Sequence, residues 1–183
     1  SMAVVLQSPD LEPNINKTVV EKVNGKVEFR DVTFRYPEGE EDAVSRVSIT
    51  LQPGQMVAVA GPSGCGKSTL ANLLIGFIRP TSGSVFIDDV DTHNLDFRSI
   101  RAFMSVVPQE SVMFEGTVRQ NVAYGLDDIS DEAVNEALIA ANALEFVELL
   151  PQGIETDIGP RGFTLSGGQK QRLAIARAVY GMP

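Results

Sequence analysis

Tryptophan is absent from the 183 residues, cysteine and histidine occur once each, and basic side chains are outnumbered, 15 against 24 acidic ones. With Cys65 alone no intrachain disulfide can form, and a reducing, cytosolic setting is the simpler reading. The formal net charge of -9 gives a surface that repels phosphate backbones, so nonspecific nucleic-acid binding is not expected. Net charge is a property of the whole surface and leaves room for a local anion pocket. No apolar run approaches the ~18 residues that a membrane helix needs. The longest, Met56 to Ala60, is broken by Gly61 and Pro62. The single histidine, in Asp91-Thr92-His93-Asn94, is expected to be a solvated loop residue. Internal repeats and low-complexity tracts are also lacking.

What is present is an ordinary globular composition, 43% hydrophobic and 21% charged, in a length that suits one domain with a real core. Ser1-Met2 reads as the scar of an expression tag, and residues 3 to 25 carry prolines and asparagines without periodicity, as a linker or loosely docked arm would. From Lys26 the pattern changes. Val27, Phe29, Val32 and Phe34, and then Val47, Ile49 and Leu51, alternate with polar residues as half-buried antiparallel strands do. Gln55 to Ala60 is nearly all apolar, which predicts a strand covered on both faces. Leu70, Leu73, Leu74 and Phe77 predict an amphipathic helix over 67–77. Short strands are expected at Ser84–Asp88 and Met104–Val107. A helix should open at Ser130-Asp131-Glu132 and run to Ala141, and a last one should cover Gln169–Val179 with Leu173, Ile175, Ala176 and Val179 as its apolar stripe. The order is β-rich, then α/β, then mostly α.

Gly61-Pro62-Ser63-Gly64-Cys65-Gly66-Lys67-Ser68 fits the pattern G-x-x-x-x-G-K-[ST], with Thr69 following, an apolar run before it and an amphipathic helix after it. Each residue type has a physical reason. The glycines let the backbone curl until successive N–H groups converge on one oxyanion cluster. The helix N-terminus behind them adds roughly half a positive charge. Lys67 reaches the β- and γ-phosphates as a point charge, the Ser68 hydroxyl ligates Mg²⁺, and Thr69 donates to the α-phosphate. Cys65 sits beside Lys67 and a helix start, which favours its thiolate. No partner base is evident and phosphoryl transfer needs no thiol nucleophile, so it fills a loop position and is expected to be open to alkylation.

A second glycine-bearing helix start lies far downstream, Leu165-Ser166-Gly167-Gly168-Gln169. Ser166 has the chemistry of an N-cap, and Gly167 and Gly168 expose backbone N–H groups at the positive end of the helix. One phosphate loop with one separate anion site suggests that two copies share each nucleotide.

With this pentapeptide the sequence resembles the ABC transporter ATPases, whose signature it is, over residues 27 to 183. The resemblance implies an α/β P-loop NTPase domain of the ABC type, with an N-terminal antiparallel β subdomain, a mixed or parallel core sheet and a helical subdomain. It divides the chain into 1–25, tag scar and connector arm, and 26–183, the ATPase domain. It implies ATP and Mg²⁺ as ligands and a head-to-tail dimer with a second copy or a homologous domain. In that dimer Ser166, Gly167, Gly168 and Gln169 contact the γ-phosphate of ATP held on the opposite subunit. Tyr36, in Phe34-Arg35-Tyr36-Pro37, falls where the family stacks an aromatic on adenine. Gln109, in Val106-Val107-Pro108-Gln109-Glu110, resembles the family's glutamine loop, which touches Mg²⁺ and the attacking water and reports nucleotide state to transmembrane domains. Lys67 and Gln109 are thus the candidate catalytic residues.

Ser111 to Val122 looks like the exporters in particular, which implies a place on the cytoplasmic face of the cell membrane; an importer subunit is the alternative. Thr156 to Gly162 resembles the exporter loop before the signature, although Pro160 stands where an acidic residue is usual. The family's second apolar strand, with its aspartate and catalytic glutamate, and its switch histidine fall beyond Pro183. The C-terminal part of the core is therefore expected to be missing, and these residues alone are expected not to turn over. Two other readings stand beside this one: a soluble ABC-type ATPase working on DNA or ribosomes, and a regulatory module that binds nucleotide without hydrolysing it.

Overall fold

A computed structural model describes residues 16–126 and 129–180. They form two compact units divided between Phe103 and Met104, and each is described by itself.

The first unit is built on a four-stranded antiparallel sheet ordered β2-β1-β3-β4, from β1 (Val27–Phe34), β2 (Val44–Leu51), β3 (Ser82–Ile87) and β4 (Val90–Asp91). The alternation in β1 is broken between Phe29 and Val32, where the pairing with β2 shifts register. Asp31 there has φ 49, so the strand carries a bulge that returns Val32 and Phe34 to the inner face. Asp88 and Asp89, at φ 49 and 66, make the two-residue turn between β3 and β4, as both central positions of a type I′ turn require. One face packs on helix α1 (Lys67–Leu74). Phe29, Val32, Phe34, Val44, Leu73 and Val85 are its buried core, each contributing about 1.5–3 kcal/mol where burial is complete.

Helix α1 is shorter than the apolar spacing predicts. Gly76 takes φ 72, and the N–H of Phe77 reaches the Asn72 carbonyl at 2.9 Å while that of Gly76 reaches Leu73 at 3.3 Å. This Schellman pair ends the helix and leaves Phe77 67% exposed, off the face assigned to it. A Cβ at Gly76 would also run into the Phe97 ring, at the start of α2 (Phe97–Arg101).

Two expected strands are absent among the described residues. Gln55–Ala60 and Met104–Val107 carry no ladder, and Met56 is 97% exposed. A strand is fixed by its neighbours more than by its own composition, and no described strand lies alongside either run. Among the described residues the one sheet is antiparallel, and the mixed or parallel core sheet implied by the resemblance is not seen there. Within 3–25, the described part from Asn16 is firmly attached: Thr18 N–H donates to the Asn94 carbonyl, Asp96 N–H to the Thr18 carbonyl, and Val20 N–H to Ser99 Oγ at 2.9 Å.

The second unit is helical: α3 (Val118–Val122), α4 (Asp131–Ala140), α5 (Leu144–Glu148) and α6 (Gly167–Tyr180). Ser130 caps α4 by accepting from Ala133 N–H, and Thr117 with Gln120 closes a capping box on α3. Val118, Val122, Val134, Leu138, Ile158 and Leu173 form the centre of its core. Leu173 and Ala176 of the predicted stripe are fully buried, with Ile175 and Val179 packed against them. No helix of the described residues is long and apolar enough to cross a membrane.

Candidate functional site

The phosphate-loop residues are brought together by the turn that enters α1. Gly61, Gly64 and Gly66 have φ 156, 81 and 92. At Gly66 the requirement is double, because a Cβ there would also collide with the Ala43 carbonyl oxygen. Gly66 is the N-cap of α1, with no side chain capping it and no acidic residue in the first turn. The positive end of the helix is thus left for an external anion. Lys67 turns back on the loop: its Nζ donates to the Gly61 carbonyl at 2.9 Å and the Pro62 carbonyl at 2.6 Å, 3.6 Å from Cys65 Sγ. Ser63, Cys65 and Ser68 are exposed around it, and Thr69 is buried.

Tyr36 belongs to the same unit. It follows β1 in a turn closed by Gly39 N–H on the Tyr36 carbonyl at 2.9 Å. Its ring stands edge-to-face with Phe34, centroids 4.8 Å apart and planes at 86°. The residue remains 43% exposed, and its hydroxyl lies 3.3 Å from Thr69 Oγ1. His93 is exposed in a short 3₁₀ turn after β4, as expected of a solvated position.

In the second unit Gln109 is exposed in an irregular segment. The other four predicted residues open α6 together. Ser166 and Gln169 satisfy one another, Gln169 N–H donating to Ser166 Oγ at 3.3 Å and Ser166 N–H to Gln169 Oε1 at 2.8 Å, a reciprocal cap. Gly167 and Gly168 face open space where a side chain would stand, and their N–H groups lie in the first turn, where a helix offers no acceptor of its own.

Two residues of this unit were not singled out in the sequence. Asn121, 1% exposed, accepts from Phe114 N–H at 2.9 Å and donates to the carbonyls of Phe114 and Thr117. Arg177 of α6 donates to Asn121 Oδ1, the Asn121 carbonyl and the Val112 carbonyl. It also lies against the stacked rings of Phe114 and Tyr124. Burial pushes its guanidinium below the ordinary arginine value. Together they pin the segment 112–122 to the signature helix. Thr156 and Ile158 add the pairing Val118 N–H to Thr156 and Ile158 N–H to Gly116. The signal for Arg177 was an arginine four residues after Leu173, on the apolar stripe itself.

The chain as a whole is similar to known proteins. The family model described as ABC transporter matches residues 44–183. An ATP-dependent lipid A-core flippase of Bordetella avium (strain 197N) is 46% identical over 177 residues, covering 96% of this chain and 30% of that protein. An ABC multidrug transporter of Trichophyton rubrum is 46% identical over 181 residues, 97% of this chain and 13% of its own length. The solved structure of a bacterial Atm1-family ABC exporter with ATP bound is 41% identical, with a TM-score of 0.84 over 94% of this chain and 30% of that one. The chain therefore spans under a third of the length of these relatives. A family model over most of its residues, and a fold and sequence shared nearly end to end with this exporter, lead to one conclusion: the chain belongs to the ABC transporter family.

Proposed function

We propose that this chain is the ATP-binding domain, residues 26–183, of an ABC exporter, in which ATP-driven dimerisation and hydrolysis power the movement of a substrate across a membrane. The observation that carries the reading is a pair of glycine-bearing helix N-termini: α1 behind Gly61–Thr69 has no side-chain cap, and α6 has open space at Gly167 and Gly168 beside its Ser166–Gln169 cap.

The donor set suits Mg-ATP. Gly66 keeps the loop backbone free of a Cβ that its surroundings could not accept. Glycine-bent backbone N–H groups hold the β-phosphate, Lys67 exchanges its two carbonyl acceptors for phosphate oxygens, and Thr69 donates to the α-phosphate. Tyr36 offers its ring to the adenine. Ser68 would hold Mg²⁺, which supplies neutralising charge to the triphosphate, and Gln109 is the further Mg²⁺ ligand that the family resemblance implies. Gln109 also positions the attacking water. Ser166, Gly167 and Gly168 of a second copy, or of a homologous domain, close on the γ-phosphate, so each nucleotide is gripped by two subunits. Transmembrane segments of the whole protein are the further partners, which puts this domain at the cytoplasmic face of the membrane. Nucleic acid is not a ligand of this acidic chain.

Calorimetric titration with Mg-ATP tests the binding step. The chain should bind weakly, Lys67→Ala should abolish that binding, and equal affinity in both would refute the reading. For the full-length protein, Mg-ATP with hydrolysis blocked should produce a dimer that Ser166→Asp prevents.

A further inference from the structure

The hydroxyl of Tyr36 meets Thr69 across 33 residues of sequence, at 3.3 Å. Stacking on a base needs only the ring, so the hydroxyl is unexplained by that role. Thr69 is 5% exposed, and Tyr36 is the only side chain that bonds its Oγ1 among the described residues. Thr69 also lies in the first turn of α1, next to Lys67 and Ser68.

Either hydroxyl can donate in this contact. A phenol is a better hydrogen-bond donor than an aliphatic alcohol, which favours Tyr36 as the donor. In that direction Thr69 Oγ1 accepts, and the threonine proton is left for an anionic oxygen beyond it. Two hydroxyls in series polarise one another, so the outer donor is strengthened. The accepted bond also fixes which way a hydroxyl points that would otherwise rotate.

We propose that Tyr36 acts at both ends of the nucleotide, its ring as platform for the base and its hydroxyl, through Thr69, as a positioning group for the nearest phosphate. The inference rests on the nucleotide reading above and adds to it an energetic link between base recognition and phosphate binding. Tyr36 is thereby a positioning residue in a sense that phenylalanine, with the same ring, cannot reproduce.

The test uses calorimetry of the 183-residue chain with two probes, Mg-ATP and Mg-tripolyphosphate, the latter having no base to stack. Tyr36→Phe should weaken both roughly two- to tenfold, the range of one neutral hydrogen bond. The loss should vanish when Thr69→Val is already present and persist with Thr69→Ser, which keeps a hydroxyl and guards against a folding defect in the valine variant. Unchanged tripolyphosphate affinity in Tyr36→Phe, or an equal loss with Thr69→Val, would overturn the proposal. If Lys67→Ala abolishes binding of both probes while the Tyr36→Phe effect ignores residue 69, the relay alone fails. If the unmodified chain binds neither probe, the nucleotide reading fails and takes the relay with it.

Discussion

Replacing Asn121 by alanine should unsettle the segment 112–122 without touching Gly61–Thr69 or Ser166–Gln169. The amide is 1% exposed and makes bonds to Phe114 N–H, the carbonyls of Phe114 and Thr117, and one Arg177 N–H, all between 2.9 and 3.1 Å. At about 1 kcal/mol each the sum is about 4 kcal/mol. Bonds sharing one side chain are not additive, and water can reach the Phe114 end, which is 36% exposed. A loss of about 2–3 kcal/mol is therefore expected, or roughly 5–10 °C in melting temperature for a chain of this size. Asn121→Asp keeps the acceptor for Phe114 N–H and adds charge beside Arg177, while it loses both donated bonds, so it should fall between wild type and alanine. Urea unfolding by circular dichroism gives the loss. Tyrosine emission reports the Phe114–Tyr124 stack, since the chain has three tyrosines and no tryptophan to mask them. A change under about 0.5 kcal/mol, the ordinary range for a surface substitution, would show that the network adds nothing and that Arg177 holds the segment by itself.

Three other outcomes are expected. Gly66→Ala should lower Mg-ATP affinity at least tenfold and stability by about 1–3 kcal/mol, from the left-handed φ and the Ala43 carbonyl together; titration and melting check it, and an unchanged pair of values would contradict the cradle geometry. Cys65 is exposed and should react stoichiometrically with a maleimide, with saturating Mg-ATP slowing the reaction; mass spectrometry reads the adduct, and equal rates would count against the site. Burial alone would raise the Asp96 carboxyl, but Arg98, with its guanidinium and its backbone N–H, outweighs that and holds it below the usual carboxylate range. Its contribution is thus present above about pH 4 and is lost as pH falls through the depressed native value. The melting-temperature gap between wild type and Asp96→Asn should narrow on acidification, and a gap that widens would reverse the sign.

Local chemistry was readable from the sequence wherever a residue answers to its own backbone. Ser130 and Ser166 cap the helices assigned to them, and the loop glycines take the left-handed angles that the motif requires. Readings failed where the outcome depended on distant partners. Gln55–Ala60 has the composition of a covered strand, yet no described strand pairs with it, and composition cannot supply a neighbour. Phe77 continued the helical spacing, but Gly76 had already closed the helix, and a glycine that close to the end of an apolar run was the signal to stop it. Asn121 and Arg177 were silent because a buried polar network is a property of three segments at once. Only the arginine's place on an apolar stripe hinted at it.

The backward turn of Lys67 onto the carbonyls of Gly61 and Pro62 means that the loop carries its own provisional occupant. On the proposed reading, an arriving triphosphate meets an ammonium already tethered to two backbone carbonyls, and the ammonium trades these neutral acceptors for charged ones. The same arrangement discriminates by sign. A free metal ion would meet a like charge there, so on the proposed reading magnesium would enter only in the company of its phosphates.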